Sequence, residues 1–202
     1  MSDSRELVVV DGGMGSIVAC AAARARTLSM GSDGHGPTAA WLDRGRLLSD
    51  ASGFDRLFES LAVKPLEQHL APDLERRDDR PASITLLTAT LGAADHGIAH
   101  VVWPIHAGVE GRPSEMDLDL AARHVDTALL VTRLVGLDSD RHRCASIRVD
   151  TPYADFSDRQ LAELALDLGT PFRMAPWWND ASNEEYRRWR GVFEAIGCVA
   201  AG

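Results

Sequence analysis

Lysine is almost missing from this chain of 202 residues, in which Lys64 is the only one. The other basic side chains are arginines, and acidic residues outnumber them, so that the formal net charge is −9. Proteins hold phosphate backbones with clustered Lys and Arg, and no long block of such residues occurs in this sequence. The composition therefore argues against general nucleic-acid binding.

Long apolar runs and paired cysteines are also missing. No run approaches the ~20 apolar residues that span a bilayer, and the polar start MSDSRE differs from a signal peptide, so we expect a cytoplasmic protein without membrane contact. Cys20, Cys144 and Cys198 lie far apart and form no CxxC pair. This spacing speaks against a structural zinc and against a disulfide framework, and we expect reduced thiols in or near the core.

Strand-like and helix-like segments alternate along the chain. With 45% hydrophobic and 25% charged residues, the sequence suits one globular domain over residues 1–202. The alternation predicts an α/β fold with a doubly wound, mostly parallel sheet between two helical layers, and ligands at the C-terminal ends of the strands. The predicted strands are 7–10, 99–105 and 145–149, and the predicted helices are 16–26, 81–97, 115–135, a helix capped by Ser157 that stops at Gly169, and 184–197. Residues 27–79 are less regular, with short helical pieces expected at 54–62 and 65–69.

A glycine-rich turn joins the first strand to the first helix. Several unpaired backbone N–H groups converge where a buried strand turns into a helix, and such a point attracts anions. Gly12 and Gly13 allow a close approach of the backbone, and Ser16 can offer a hydroxyl to a phosphate oxygen. The turn contains neither GxxxxGK[ST] nor GxGxxG, which excludes a Walker A loop and a dinucleotide fingerprint.

The turn resembles the SGGxDS loop of the PP-loop ATP pyrophosphatases, aligned here as Asp11-Gly12-Gly13-Met14-Gly15-Ser16. Later segments are similar, in order and spacing, to one PP-loop family, the 7-cyano-7-deazaguanine synthases of queuosine biosynthesis (QueC-like proteins). These segments are Pro81-Ala82-Ser83-Ile84 for the family's PARN, Ile147 to Gly169 for its IxTPLxxxxKxEIxxLGxxLG, and Tyr186 to Gly197 for its last helix.

The resemblance implies an adenine nucleotide alpha hydrolase-like, Rossmann-like fold. The family adenylates a carboxylate with ATP, releases pyrophosphate and transfers the acyl group to ammonia. ATP and Mg²⁺ are thus the possible cofactors. The residues expected to contact an adenine nucleotide are Asp11, Gly12, Gly13, Met14, Gly15, Ser16 and Ser83.

Several residues depart from the family pattern. Asp11 replaces a serine, Gly15 an aspartate and Ser83 the PARN arginine. A carboxylate some 4 Å from a phosphate costs about 1 to 4 kcal/mol, which weakens binding unless a metal bridges the charges. The family's zinc-binding cysteines are absent, so no zinc is expected, and Trp177 and Trp178 occupy that region. We therefore expect a degenerate, catalytically impaired homologue that acts as a homodimer.

Two alternatives remain open. The first is an active ATP-dependent ligase with a changed substrate, in which Asp11 holds magnesium with Glu110 or Asp117. The second is a structural or interaction subunit whose cleft is filled by side chains such as Met14 or Trp103. The remaining candidates are expected to be surface or satisfied core residues, and they comprise His35, His96, His100, His106 and the arginines Arg187, Arg188 and Arg190.

Overall fold

A computed structural model describes residues 6–29, 38–42, 54–66, 81–137 and 146–198. Its strands are β1 Glu6–Val10, β2 Thr38–Leu42, β3 Val63–Pro65, β4 His100–Val102, β5 Gly108–Val109, β6 Arg112–Met116 and β7 Arg148–Asp150. Five parallel strands form the central sheet, in the order β3-β2-β1-β4-β7. A separate antiparallel pair, β5 and β6, follows β4 in the chain.

Helices cover both faces of the sheet. Alternate residues of β1 point to opposite sides, so that Val8 and Val10 enter one core while Leu7 and Val9 enter the other. The helices are α1 Met14–Ser29, α2 Asp55–Leu61, α3 Ala82–Asp95, α4 Leu118–Leu137, α5 Asp158–Asp167 and α6 Glu184–Ala195, with 3-10 turns at Phe172–Met174 and Pro176–Asn179. The first core takes in α1, α2, α5 and α6, and the second takes in α3 and α4. The α/β prediction with a parallel sheet and three layers is therefore confirmed.

Several helix and strand boundaries differ from those predicted from the sequence. The strand expected over 99–105 ends at Val102, and Pro104, which follows, has no N–H for a ladder bond. The helix expected from residue 115 begins at Leu118, because residues 112–116 form β6 and Asp117 accepts the N–H of Leu120. Helix α1 runs from residue 14 to 29, longer than the predicted 16–26.

Part of the segment 27–79 is regular. Residues 27–29 end α1, and the described residues from 38 to 66 include β2, α2 and β3, of which the sequence indicated only the helix α2. Residue 65 of the predicted piece 65–69 belongs to β3, and residues 67–69 lie outside the described ranges.

Two of the three cysteines lie in described residues. Cys20 is buried on α1, and burial raises the pKa of its thiol to about 12, while Cys198 is half-buried beside the same core. Cys144 falls outside the described ranges. In the ranges that the structure describes, the helices are all too short or too polar to traverse a bilayer.

Candidate functional site

The strand order reverses between β1 and β4, and ligands of doubly wound folds bind at such a switch point, beyond the C-terminal ends of the strands. The loop Asp11–Gly13 leaves β1 at this edge, and Trp103–His106 leaves β4 beside it. A cavity between them is lined by Val9, Asp11, Ala82, Thr85, Trp103, Pro104 and Ile105. Its volume of about 20 Å³ suits one water molecule. Small-molecule sites are usually several hundred Å³ in volume.

The polar groups of the loop bond to one another. Oδ1 of Asp11 accepts the N–H of Gly13 at 3.0 Å, so a carboxylate of the chain occupies one of the donors that would otherwise face an anion. The Ser16 hydroxyl donates to the carbonyl of Gly13 at 2.9 Å and is buried. The hydroxyl expected to meet a phosphate oxygen is therefore directed into the protein.

Trp177 closes the loop from a distant part of the chain. Its indole Nε1–H donates to the carbonyl of Gly12 at 2.8 Å, and the side chain is buried. Gly12 has a φ of 85°, a left-handed conformation that glycine adopts without strain. The turn at Pro176–Asn179 and the β1–α1 loop are thus joined by one hydrogen bond between buried groups.

Backbone covers the start of α1. A Cβ built on Gly15 would overlap the carbonyl oxygen of Pro104, so the aspartate that the PP-loop pattern places here cannot fit without displacing that segment. The first N–H groups of a helix carry positive partial charge. The loop carboxylate of Asp11 and the carbonyl of Pro104, both negative, lie beside this end of the helix.

The remaining loop candidates are spread over three environments. Met14 is buried in the first core, and Trp103 is buried and lines the cavity. Ser83, in the first turn of α3, is exposed, and its neighbours Ala82 and Thr85 line the cavity instead. The structure therefore brings Asp11 to Ser16 together around one turn and leaves Ser83 on the surface.

A second polar cluster lies next to the loop. Asp158, the first residue of α5, is almost fully buried and receives Arg188 through both carboxylate oxygens, at 2.8 Å from Nε and 2.7 Å from Nη2. Nε2 of His106 lies 3.0 Å from Oδ1. Burial alone would raise the pKa of Asp158, but the hydrogen bonds from His106 and Arg188 lower it below its ordinary value. The same nitrogen lies 3.3 Å from Nη2 of Arg188, so the tautomer of His106 decides whether it donates to the carboxylate or accepts from the guanidinium.

The cluster holds three elements together. Arg188 of α6 also donates to the carbonyl of Gly108 at 2.9 Å, which connects α6 to β5. A Cβ on Gly108 would overlap the carboxylate of Asp158. Nδ1 of His106 lies 3.8 Å from the position of a Cβ on Gly15, so the cluster borders the start of α1.

The carboxyl group of Glu185 interacts electrostatically with Arg188 and His106 of the cluster and with Asp11 of the loop. Oε2 of Glu185 accepts the indole N–H of Trp189 at 2.7 Å. Burial raises the pKa of Glu185, and the nearby charge of Asp11 raises it further, although Trp189, Arg188 and His106 act in the opposite direction. The switch point thus carries the carboxylates of Asp11, Asp158 and Glu185, of which Asp158 is paired with Arg188.

The other candidate histidines lie elsewhere. Nδ1 of His96 is 2.8 Å from the carbonyl of Gly92 at the end of α3. His100, at the start of β4, is 2.7 Å from Oδ2 of Asp150 and 3.6 Å from Glu6. His35 lies outside the described residues.

Glu110 and Asp117, the residues expected to hold magnesium with Asp11, have other positions and contacts. Asp117 caps α4, and Glu110 lies exposed in the turn between β5 and β6. Within the five described ranges, no three His, Cys, Asp or Glu side chains are arranged to hold a metal ion.

Sequence reasoning treated His106 as a scattered histidine and the arginines near the end as a solvated patch. Arg190 does lie on the surface, bonded to Glu194 and Tyr186. Arg188 instead enters the ion pair with Asp158. Residues 106, 158 and 188 share no period or motif, so no local signal in the sequence could have joined them.

The fold and the switch point define the class of protein as a Rossmann-like α/β protein with a parallel sheet. The chain matches no protein-family model, and no curated protein gives a significant match to it.

Proposed function

We propose that the chain is a catalytically impaired PP-loop protein, a degenerate homologue of the 7-cyano-7-deazaguanine synthases that keeps the nucleotide-binding fold without adenylating a substrate. One observation carries this proposal: two donors of the Asp11–Ser16 turn that could hold a phosphate, the N–H of Gly13 and the hydroxyl of Ser16, are bonded within the chain. The strand order and the position of the turn at the switch point support the PP-loop ancestry.

The chemistry explains why this loop opposes adenylation. Release of pyrophosphate needs donors, basic groups and a metal aimed at the charge that develops on the leaving group. Here the N–H of Gly13 faces a carboxylate, and the hydroxyl of Ser16 faces a carbonyl. A triphosphate would have to displace Asp11 while its own charge is repelled by that carboxylate, at about 1 to 4 kcal/mol for charges 4 Å apart.

The test compares the natural chain with a variant in which the loop is opened. Asp11→Ser restores the family's serine, and Trp177→Phe removes the indole donor to Gly12 while preserving most of the packing. We expect the natural chain to form no AMP or pyrophosphate from radiolabelled ATP with Mg²⁺. The double variant should bind ATP at least about tenfold more tightly by calorimetry, equivalent to about 1.4 kcal/mol.

The matched control is Trp178→Phe, because Trp178 packs against Trp177 but makes no hydrogen bond to the loop in the described contacts. It should leave ATP affinity unchanged. Conversion of ATP to AMP by the natural chain would contradict the proposal and favour the active ligase. Failure of the double variant to gain affinity would contradict the PP-loop ancestry of the turn.

A further inference from the structure

The outward side of α4 is unusually apolar. Of nine large hydrophobic side chains that are exposed among the described residues, six lie on this helix. They are Leu118, Val125, Leu129, Leu130, Leu134 and Leu137, with exposed fractions from 40% to 83%. Single exposed leucines are common on protein surfaces, but six such side chains on one helix are typical of an interaction surface.

These side chains are separate from the part of α4 that packs on the protein. Ala128, Val131 and Val135 face the second core and are buried. At 3.6 residues per turn, Asp126 and Arg133 lie on the opposite side of the helix, with Leu129 on one flank of that line and Leu130 on the other. Both charged residues are exposed. The outward side thus combines a polar centre line with apolar flanks.

We propose that this surface binds a second copy of the chain, with the two α4 helices packed antiparallel about a two-fold axis. The axis passes through the midpoint between Leu129 and Leu130, so each of these residues lies beside its equivalent in the other copy. Asp126 and Arg133 are equally far from that midpoint. Asp126 of each copy therefore lies opposite Arg133 of the other, and the surface is complementary to itself in charge.

The size of the surface agrees with a stable dimer. Helix α3 packs beside α4 on the same face of the sheet, with Leu87 and Leu91 half-buried against the second core. At 1.5 Å per residue, α4 is roughly 30 Å long and α3 roughly 20 Å, so with a spacing of 8–10 Å between helices their two outward faces cover on the order of 500 Å². This is of the order of the ~800 Å² that each partner contributes to a standard interface.

The composition of the rest of the chain also favours a second copy over an internal cover. The undescribed segments that adjoin these helices in sequence, 67–80 and 138–145, read EQHLAPDLERRDDR and DSDRHRCA. Their large apolar residues are Leu70 and Leu74 alone. Two leucines among so many charges do not match an apolar surface of this extent.

Charge exchange tests the arrangement directly. On the full chain, analytical ultracentrifugation should show a dimer at concentrations of about 10 to 100 μM. Asp126→Arg and Arg133→Asp should each weaken the dimer at least about tenfold, because each places like charges opposite one another. The double variant Asp126→Arg with Arg133→Asp restores the pairs and should restore the dimer.

Two further variants separate a lost interface from a lost fold. Leu130→Glu should yield a folded monomer by circular dichroism and ultracentrifugation. Leu28→Glu is the matched control, because Leu28 is 67% exposed against 65% for Leu130 but lies on α1, on the other side of the sheet. It should leave the dimer intact.

Cross-linking tests the direction of the helices. Leu129→Cys and Leu130→Cys should form a disulfide-linked dimer under mild oxidation, while Leu118→Cys should not, because its two copies would lie roughly 35 Å apart at 1.5 Å per residue. A monomer at 100 μM, no rescue by the double charge exchange, or cross-linking through Leu118→Cys would each overturn the proposal. None of these outcomes depends on ATP, so they are independent of the proposed function.

Discussion

Gly15 and Gly108 lie where other parts of the chain touch the backbone. Neither residue has a positive φ among the glycines described, so conformational freedom is not what favours glycine there. A Cβ on Gly15 would overlap the Pro104 carbonyl, and a Cβ on Gly108 would overlap the Asp158 carboxylate. Both close approaches bring the segment after β4 against a helix start.

The first prediction uses this overlap. Replacing glycine by alanine inside a helix normally stabilises it by about 0.5–1 kcal/mol. Gly15→Ala should instead destabilise the protein by roughly 1–3 kcal/mol, because the Pro104 backbone must move. Gly191→Ala on α6 is the control, because nothing lies within 4 Å of its Cβ position. Urea unfolding measures both, and equal effects of the two substitutions would rule out the close contact.

Asp158 gives the second prediction. Breaking a buried ion pair leaves its partner unpaired, so Asp158→Asn should cost about 3 kcal/mol of unfolding free energy at neutral pH. Arg190→Gln, on the exposed pair with Glu194, should cause no measurable change. Comparable losses in both variants would contradict a structural role specific to Asp158.

The pH dependence of this pair follows from its lowered pKa. The folded pKa of Asp158 is below the ordinary value of 3.8. Its contribution to stability is therefore complete above that value and is lost as the pH falls through the folded pKa. The difference between the natural chain and Asp158→Asn should shrink only in strong acid, which acid titration of the unfolding midpoint measures.

At the scale of elements, α5 shows that residues close together in the sequence can be sufficient to predict where a helix begins and ends. The Ser157 side chain accepts the N–H of Gln160, and the Gln160 side chain accepts the N–H of Ser157, which forms a capping box. Beyond the other end of the helix, Gly169 has a φ of 60°. The Ser157 cap and the stop at Gly169 were predicted from the sequence, because caps depend on residues that are close in the chain, whereas the reciprocal bond from Gln160 was not predicted.

The third prediction concerns this cap. Ser157→Ala should reduce the unfolding free energy by about 1 kcal/mol, because one helix N–H loses its acceptor. Ser157→Asp provides the control, since aspartate accepts the same bond and favours the helix start. An equal loss in both variants would show that packing of the buried Ser157, rather than the cap, is responsible.

Other elements were not predictable in the same way. Strand β2 reads TAAWL, in which the alanines have low strand propensity, and it is held by parallel pairing with β1. The β5–β6 pair contains Gly108, Gly111 and Pro113, residues typical of loops. Long-range pairing decides these strands, and a single sequence carries no direct record of it.

In the candidate site, too, the local features could be predicted from the sequence and the long-range contact could not. The place of the site in the fold followed from a strand, two glycines and a helix that succeed one another between Glu6 and Ser29. The bond that closes it joins Gly12 to Trp177, 165 residues later. Sequence reasoning placed Trp177 in a packing role but could not assign it to this carbonyl, because only tertiary folding brings the two together.

At the scale of the whole molecule, an acidic chain concentrates carboxylates at the switch point. Asp158 is compensated by Arg188 and His106, whereas Glu185 has a raised pKa from burial and from Asp11. For a carboxyl with a raised folded pKa, stability is greatest below its ordinary value of 4.5 and declines as the pH rises through the folded pKa. Ionised Glu185 therefore opposes folding near neutral pH, in contrast to Asp158.

The last prediction tests this opposition. Glu185→Gln keeps an oxygen acceptor for the Trp189 indole and removes the charge. It should raise the thermal midpoint at about pH 7, and the gain should disappear as the pH falls below the ordinary value of 4.5, where Glu185 becomes protonated in both states. Glu194→Gln is the matched control, because Glu194 is exposed on the same helix and pairs with Arg190. A gain that persists in acid would mean that the charge of Glu185 is not its cause. A loss at neutral pH would mean that attraction of the Glu185 carboxylate to Arg188 and His106 outweighs the cost of its burial.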